Sequence, residues 1–244
     1  MTLPPAEAAA APPSRVDALA MTLLLLSYPV LAHLALHWRS MPLTVAAGLA
    51  LALAALWRPL LGGRAGAWMG LAAVAALLGG LASLRLAVLP LYLPPVAANL
   101  FLAWLFVRTL RPGVKPLIER LVWHLHDRPP ELEPDLVSYT RALTCLWGGF
   151  FLLVAVTSAV LAVLAEPDGV LALAGVGNPL PLPQSWWFWF TNVVNLALAG
   201  AVMTIEFGIR WRRFPQHRAR NGSLFAFLRR MRTAIPGIWR DLLA

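Results

Sequence analysis

Positive charge alternates with apolar stretches along this chain in the pattern of a polypeptide threaded through a membrane. Six apolar stretches, 18–36, 43–57, 67–83, 86–107, 142–165 and 186–209, divide the sequence. Runs of about 17–25 apolar residues cross a bilayer as a helix. Threaded in alternation from an N-terminus on the inner side, the inner segments hold eighteen of the twenty Lys and Arg residues, and the outer segments hold only Arg39 and Arg85. An excess of Lys and Arg on the cytoplasmic side is the signature of orientation in membrane proteins. The expectation is an all-α, polytopic integral membrane protein with six transmembrane helices, amphipathic helices on its inner surface and both termini cytoplasmic. A five-span arrangement, with 86–93 re-entrant or interfacial, keeps the two most basic segments inside and moves the N-terminus outside.

Composition agrees with that class. Hydrophobic residues make up 59% of the chain and charged residues 13%, where a water-soluble domain carries about 25% charged. The net charge of +9 does not point to nucleic acid, because the basic residues stand directly beside apolar spans. Topology and attraction to anionic lipid heads account for them, so membrane lipids are the expected partners. One cysteine, Cys145, cannot form a disulfide, a thiolate zinc site or an iron–sulfur cluster within the chain. No metal site or cofactor is expected.

Three regions follow. Residues 1–17 are Ala/Pro-rich and read as disordered. Residues 18–209 form the membrane domain, with an inner-surface segment at 108–141, and 210–244 form a basic amphipathic tail. The N-terminal stretch lacks a basic n-region, so the first span reads as retained. Small residues in the second and third spans favour close packing inside the bundle. Pro90, Pro94 and Pro95 interrupt the fourth span, and proline in a membrane helix frees carbonyls that neighbours must satisfy.

Two surface helices are predicted. In 117–126, Leu117, Ile118, Leu121, Val122 and Leu125 share a face, while Glu119, Arg120 and His126 fall away from it. In the tail, Leu224, Phe225, Leu228 and Met231 form a stripe beside Arg229, Arg230 and Arg232. The loop 166–185 lacks basic residues, and the aromatic run Trp186 to Phe190 marks the outer interface.

Polar groups within hydrocarbon are costly and each needs a reason. Tyr28 precedes Pro29 in the first span, and His33 there is either a proton carrier or a neutral imidazole bonded to a neighbour. Asn99, four residues after Pro95, either bonds a carbonyl at the proline break, crosses to another helix or meets substrate. Asn192 and Asn195, three apart, share a helix face and either pack or line a polar groove. Glu206 lies one turn before Arg210, an arrangement for an ion pair on one face; a proton-relay or substrate-amine role is the alternative. Arg108 and Arg111 flank a Pro112-Gly113 turn, as phosphate readers or as membrane anchors. His124 and His126 differ by two, so they point about 200° apart on a helix and cannot hold one ion together. No H-E-x-x-H, G-x-S-x-G or Walker A pattern occurs.

Taken together, Tyr28-Pro29 with His33, the block from Pro94-Pro95 through Asn99, Arg108 to Gly113 and Pro116-Leu-Ile, the triplet Tyr139-Thr-Arg141, and Asn192, Asn195 and Glu206 followed by Arg210, Arg212, Arg213 and Pro215 resemble a known family. It comprises small bacterial inner-membrane proteins encoded in aryl-polyene pigment clusters of the xanthomonadin type. The resemblance covers most of the chain. It implies a bacterial inner-membrane location and a role in making or exporting a polyene lipid, beside polyene or fatty-acid biosynthesis enzymes and acyl carrier protein. Members are sometimes labelled ketosynthase. That chemistry needs an activated cysteine with histidine partners, and Cys145 has none near it in sequence. The expected role is therefore an accessory or scaffold that binds a hydrophobic acyl or polyene chain, its polar end meeting Arg108, Arg111 and Arg141, with Tyr139, Asn99 and Glu206 in reserve. The alternatives are a lipid-modifying enzyme using Glu206, His33 or Tyr139, and a small proton-coupled transporter using His33 and Glu206, which lacks the inverted repeats common in transporters.

Overall fold

A computed structural model describes residues 14–125 and 133–214. Among these residues six helices are long and apolar enough to cross a membrane, and the only strands are two residues each. The protein is an all-α, multi-pass membrane protein. The stretch before Ser14, His126 and the tail helix at 224–232 lie outside the described residues. The chain divides into two compact units, residues 1–91 and 92–244.

In the first unit, α1 (Arg15–His37) starts within the stretch expected to be disordered. The reason is local. The Ser14 hydroxyl accepts from the Asp17 amide at 3.1 Å and the Asp17 carboxylate accepts from the Ser14 amide at 3.2 Å, a reciprocal cap that satisfies amides the first turn leaves without partners. A tight turn with Arg39 at φ 48° leads into α2 (Met41–Leu61). The two helices meet through Ala32, Ala35 and Ala47, with Tyr28, Leu31 and Leu43 packed beside them. Small side chains let the backbones approach closely and gain dispersion contacts, which lipid does not replace. α3 (Ala65–Ser83) approaches α2 where Gly48 faces Leu78: a Cβ at Gly48 would lie 2.8 Å from the Leu78 Cδ1. Elsewhere α3 buries only Ala67 and exposes Trp68, Met69 and Leu77. Of the two spans expected to pack inside, α2 is thus the more enclosed and α3 shows most of its surface.

The fourth span, α4 (Leu89–Arg108), is a continuous helix despite Pro94 and Pro95, long and apolar enough to cross a membrane. Pro95 has no N–H to offer the Leu91 carbonyl four residues back. The Tyr28 hydroxyl donates to that carbonyl at 2.9 Å. Asn99 does something different: its Nδ2 donates to the carbonyl of Pro95 itself at 2.7 Å.

In the second unit, α4 ends in a turn at Pro112-Gly113, where Gly113 takes φ 78°, a region glycine enters without steric cost. The short α5 (Leu117–Leu125) follows. Its first amide, Leu117, donates to the Thr109 hydroxyl at 3.0 Å, and the Ile118 amide donates to the Thr144 hydroxyl at 3.3 Å. Ile118 and Val122 pack with Leu136 and Phe214. Glu119, expected to face away, is buried. The packed face is rotated from the one the apolar pattern marks, because Phe214 and Leu136 cover the Ile118–Val122 side while Leu121 stays partly open.

The long α6 (Pro134–Leu164) is 31 residues, about 46 Å at 1.5 Å per residue, which exceeds a hydrocarbon core of about 30 Å. Its first turns therefore carry Tyr139 and Arg141, which the sequence placed in the surface segment, as part of the spanning helix. Thr140, Thr144, Gly148, Ala155, Ser158 and Ala162 make a buried stripe along it. The connection that follows is more structured than a Pro/Gly loop suggests. β1 (Ala165–Glu166) pairs in parallel with β2 (Leu182–Pro183), enclosing α7 (Val170–Leu173). A Cβ at Gly169 would collide with the Ala165 backbone, and Asn178 donates to the Leu164 carbonyl at 3.0 Å. The Tyr92 hydroxyl donates to the Asp168 carbonyl at 3.2 Å and accepts from Gln184 at 3.0 Å. The last span is α8 (Gln184–Trp189), a π-helical turn (Phe190–Val194) and α9 (Asn195–Arg213). Trp186 and Trp189 are exposed, as interfacial indoles are.

Candidate functional site

Glu206 is the only acidic residue of α9. It is buried, and a charge within a membrane helix persists only with partners. Two are present. The Tyr139 hydroxyl donates to Glu206 Oε1 at 3.2 Å, and Arg210 Nε lies 3.3 Å from the same oxygen. The Arg210 contact is the same-face pair expected from the spacing. The Tyr139 contact joins residues 67 apart and no spacing rule announces it. Phe214 meets the Tyr139 ring edge-on at 5.4 Å, and the Arg213 guanidinium stands 5.6 Å from the centre of that ring. The phenol is thus fixed between an aromatic edge and a cation, with its hydroxyl aimed at the carboxylate.

From this polar head an apolar groove of about 300 Å³ runs between α6 and α9. Its walls are Ala142, Leu143 and Leu146 on one side and Val202, Ile205 and Ile209 on the other, and Tyr139 and Glu206 also line it. Such a groove presents one carboxylate and one phenol to the end of an otherwise hydrophobic guest. It can accept hydrogen bonds at Glu206 and offer or accept one at Tyr139.

The structure divides the residues grouped from sequence. Tyr139 and Arg141 are two apart on α6 and so point about 200° apart. Tyr139 turns to α9. Arg141, largely exposed, sends Nη2 to the Leu110 carbonyl at 2.7 Å, on the turn after α4. Arg108 lies on that side too, its guanidinium 4.7 Å from the Trp104 ring centre, and Arg111 is exposed in the turn. None of the three arginines lines the groove. Asn99 makes its bond within its own helix, and Tyr28 and the Leu91 carbonyl it serves both lie in the first unit. His33 is exposed and stacks with His37 at 6.0 Å. Asn192 and Asn195 do not act as a pair. Asn192 lies within the π turn and Asn195 begins α9, so the phase of the helix shifts from one to the other; Asn192 donates to the Phe188 carbonyl at 3.0 Å and the Thr191 hydroxyl at 3.1 Å. Cys145 is exposed on α6 and not enclosed by it. Among the described residues no group of three His, Cys, Asp or Glu side chains converges on a point.

Phe214 is the contributor that sequence reasoning missed. It lies one residue past α9 among basic residues, where an isolated aromatic carries no periodic signal. Comparison with known proteins finds no matching family model, no matching curated protein and no matching solved structure.

Proposed function

We propose that this protein is an accessory or scaffold protein of the bacterial cytoplasmic membrane that holds a hydrophobic acyl or polyene chain for partner enzymes. The observation that carries this reading is the apolar groove between α6 and α9 with Tyr139 and Glu206 at its polar end. Its volume is at the small end of ligand sites, which run from about 300 to 1,000 Å³, and suits a single chain better than a multi-chain lipid. The end of that chain meets a carboxylate first, so a hydroxyl or amine terminus fits better than the acidic terminus expected from the arginines. Arg108, Arg111 and Arg141 then serve as a basic surface for an acidic carrier protein or for lipid heads. The distribution of Lys and Arg supports cytoplasmic termini and, with them, a groove head and arginines that face the cytosol. The assignment to aryl-polyene pigment biosynthesis or export rests on the family resemblance.

A second reading has one observation in its favour. The Tyr139–Glu206 hydrogen bond is a possible acid–base couple, which would make the groove the site of a lipid-modifying enzyme. Tyr139→Phe separates the two: a holding protein keeps most of its bound chain and its pathway output, and an enzyme loses turnover while keeping the chain. The pathway is tested by deleting the gene and profiling membrane lipids and pigments. Loss of a polyene fraction, restored by the wild-type gene, supports the reading; an unchanged profile removes it.

A further inference from the structure

The groove between α6 and α9 is not closed on all sides. Leu146, Ile205 and Ile209 line it and are exposed, and apolar side chains exposed along spanning helices meet lipid. The groove therefore opens toward the bilayer along its length. Its walls run from Tyr139 to Leu146 on α6 and from Val202 to Ile209 on α9, a length of roughly 10 Å at 1.5 Å per residue. Roughly eight carbons of an extended chain cover that length at a C–C bond of about 1.5 Å. Lipid tails are as apolar as these walls, so the walls give shape and little preference. Selection among guests falls to the polar end.

At that end both partners of Glu206 use one oxygen. The Tyr139 hydroxyl donates to Oε1 at 3.2 Å, and Arg210 Nε lies 3.3 Å from it. Among the described residues no hydrogen bond reaches Oε2, and Glu206 lines the groove. A carboxylate oxygen accepts, so the guest has to donate. The carboxylate of a fatty acid has no proton to give and is repelled. An ammonium donates, but it would enter beside two cations: Arg210, already paired with Glu206, and Arg213, whose guanidinium stands 5.6 Å from the Tyr139 ring centre. A hydroxyl donates without adding charge. Building on the holding role stated above, we propose that the groove takes a hydroxyl-ended chain from the bilayer through its open side, holding the hydroxyl and roughly the first eight carbons while the remainder stays in lipid.

The test uses the full chain in neutral detergent micelles at neutral pH, with hexadecanol, hexadecylamine or hexadecanoic acid added at equal mole fraction, followed by native mass spectrometry. A hydrogen bond to a charged group favours the alcohol, so the wild type should retain hexadecanol at least about tenfold better than hexadecanoic acid. Hexadecylamine should fall severalfold below hexadecanol. Decanol and hexadecanol should be retained alike, because both outrun the groove. Glu206→Gln should narrow the preference for alcohol over acid. Arg213→Gln, a change at an exposed position that guards against misfolding, should raise hexadecylamine relative to hexadecanol. In vesicles whose lipid carries hexadecanol, Ile205→Trp at the open side should load severalfold less than wild type. Equal or better retention of the amine or the acid by the wild type, retention that climbs from decanol to hexadecanol, or full loading of Ile205→Trp overturns the proposal. If a chain still co-purifies with the protein, the holding role survives that result; with no bound chain of any kind, both fail.

Discussion

The two units are built from the same helix type and use polar groups differently. In the first, polar side chains complete backbone carbonyls: Thr44 bonds the Ser40 carbonyl at 3.1 Å, and Tyr28 reaches from α1 to the Leu91 carbonyl that Pro95 leaves open. Its helices are held by alanines and glycine at close approach. In the second, polar groups cross between elements: Tyr139 to Glu206, the Ile118 amide to Thr144, Arg141 to Leu110 and Gln184 to Tyr92. One of those links is a buried carboxylate at the head of a groove. In the first unit no carboxylate is buried within a spanning helix among the described residues. A unit that keeps one at the expense of desolvation has a use for it.

The difference predicts unequal responses to substitution. The largest concerns packing in the first unit: Ala47→Leu, at a fully buried site, forces the α1 and α2 backbones apart and should destabilise by about 1–3 kcal/mol, read as a lower detergent-unfolding midpoint, with bound chain unchanged in the folded fraction. A loss of bound chain from that fraction would break the separation of roles. Next is Val202→Trp, which fills the groove of the second unit. It should lower co-purifying acyl or polyene chain by at least about tenfold, the equivalent of 1.4 kcal/mol, with the unfolding midpoint held near wild type. Smaller again is Tyr28→Phe, which leaves the Leu91 carbonyl without its partner. Interhelical hydrogen bonds in membranes average about 0.6 kcal/mol and reach about 1.7, so a shift beyond that range would mean that Tyr28 has a further role. The smallest is Arg85→Gly. Arg85 holds φ 60° in the turn before α4, where a side chain costs roughly 1–2 kcal/mol; glycine should stabilise by up to about that amount less its own entropy cost, and a destabilised variant would show that the arginine side chain contributes more than the strain removes.

The spans were legible because a bilayer imposes length and apolarity on consecutive residues, so the signal is local. Glu206 with Arg210 was legible for the same reason, since one turn of helix brings them together. Asn99 was half legible: its bond at the proline break was foreseen, but the open carbonyl is that of Leu91, and its partner Tyr28 lies 63 residues away. Tyr139 and Arg141 were grouped as neighbours in a surface segment, and continuous helix through both sends them to opposite sides. Asn192 and Asn195 failed through a π turn that no composition rule marks.

The central claim is that the groove between α6 and α9 holds a hydrophobic chain by its walls and orients it by Tyr139 and Glu206. Native mass spectrometry of the protein purified from its own membranes, beside Val202→Trp and Glu206→Gln, tests it most directly. The account predicts a bound single-chain species on the wild type, its loss in Val202→Trp and weakened retention in Glu206→Gln. The same species retained equally by all three proteins, or no bound chain on the wild type, would contradict it.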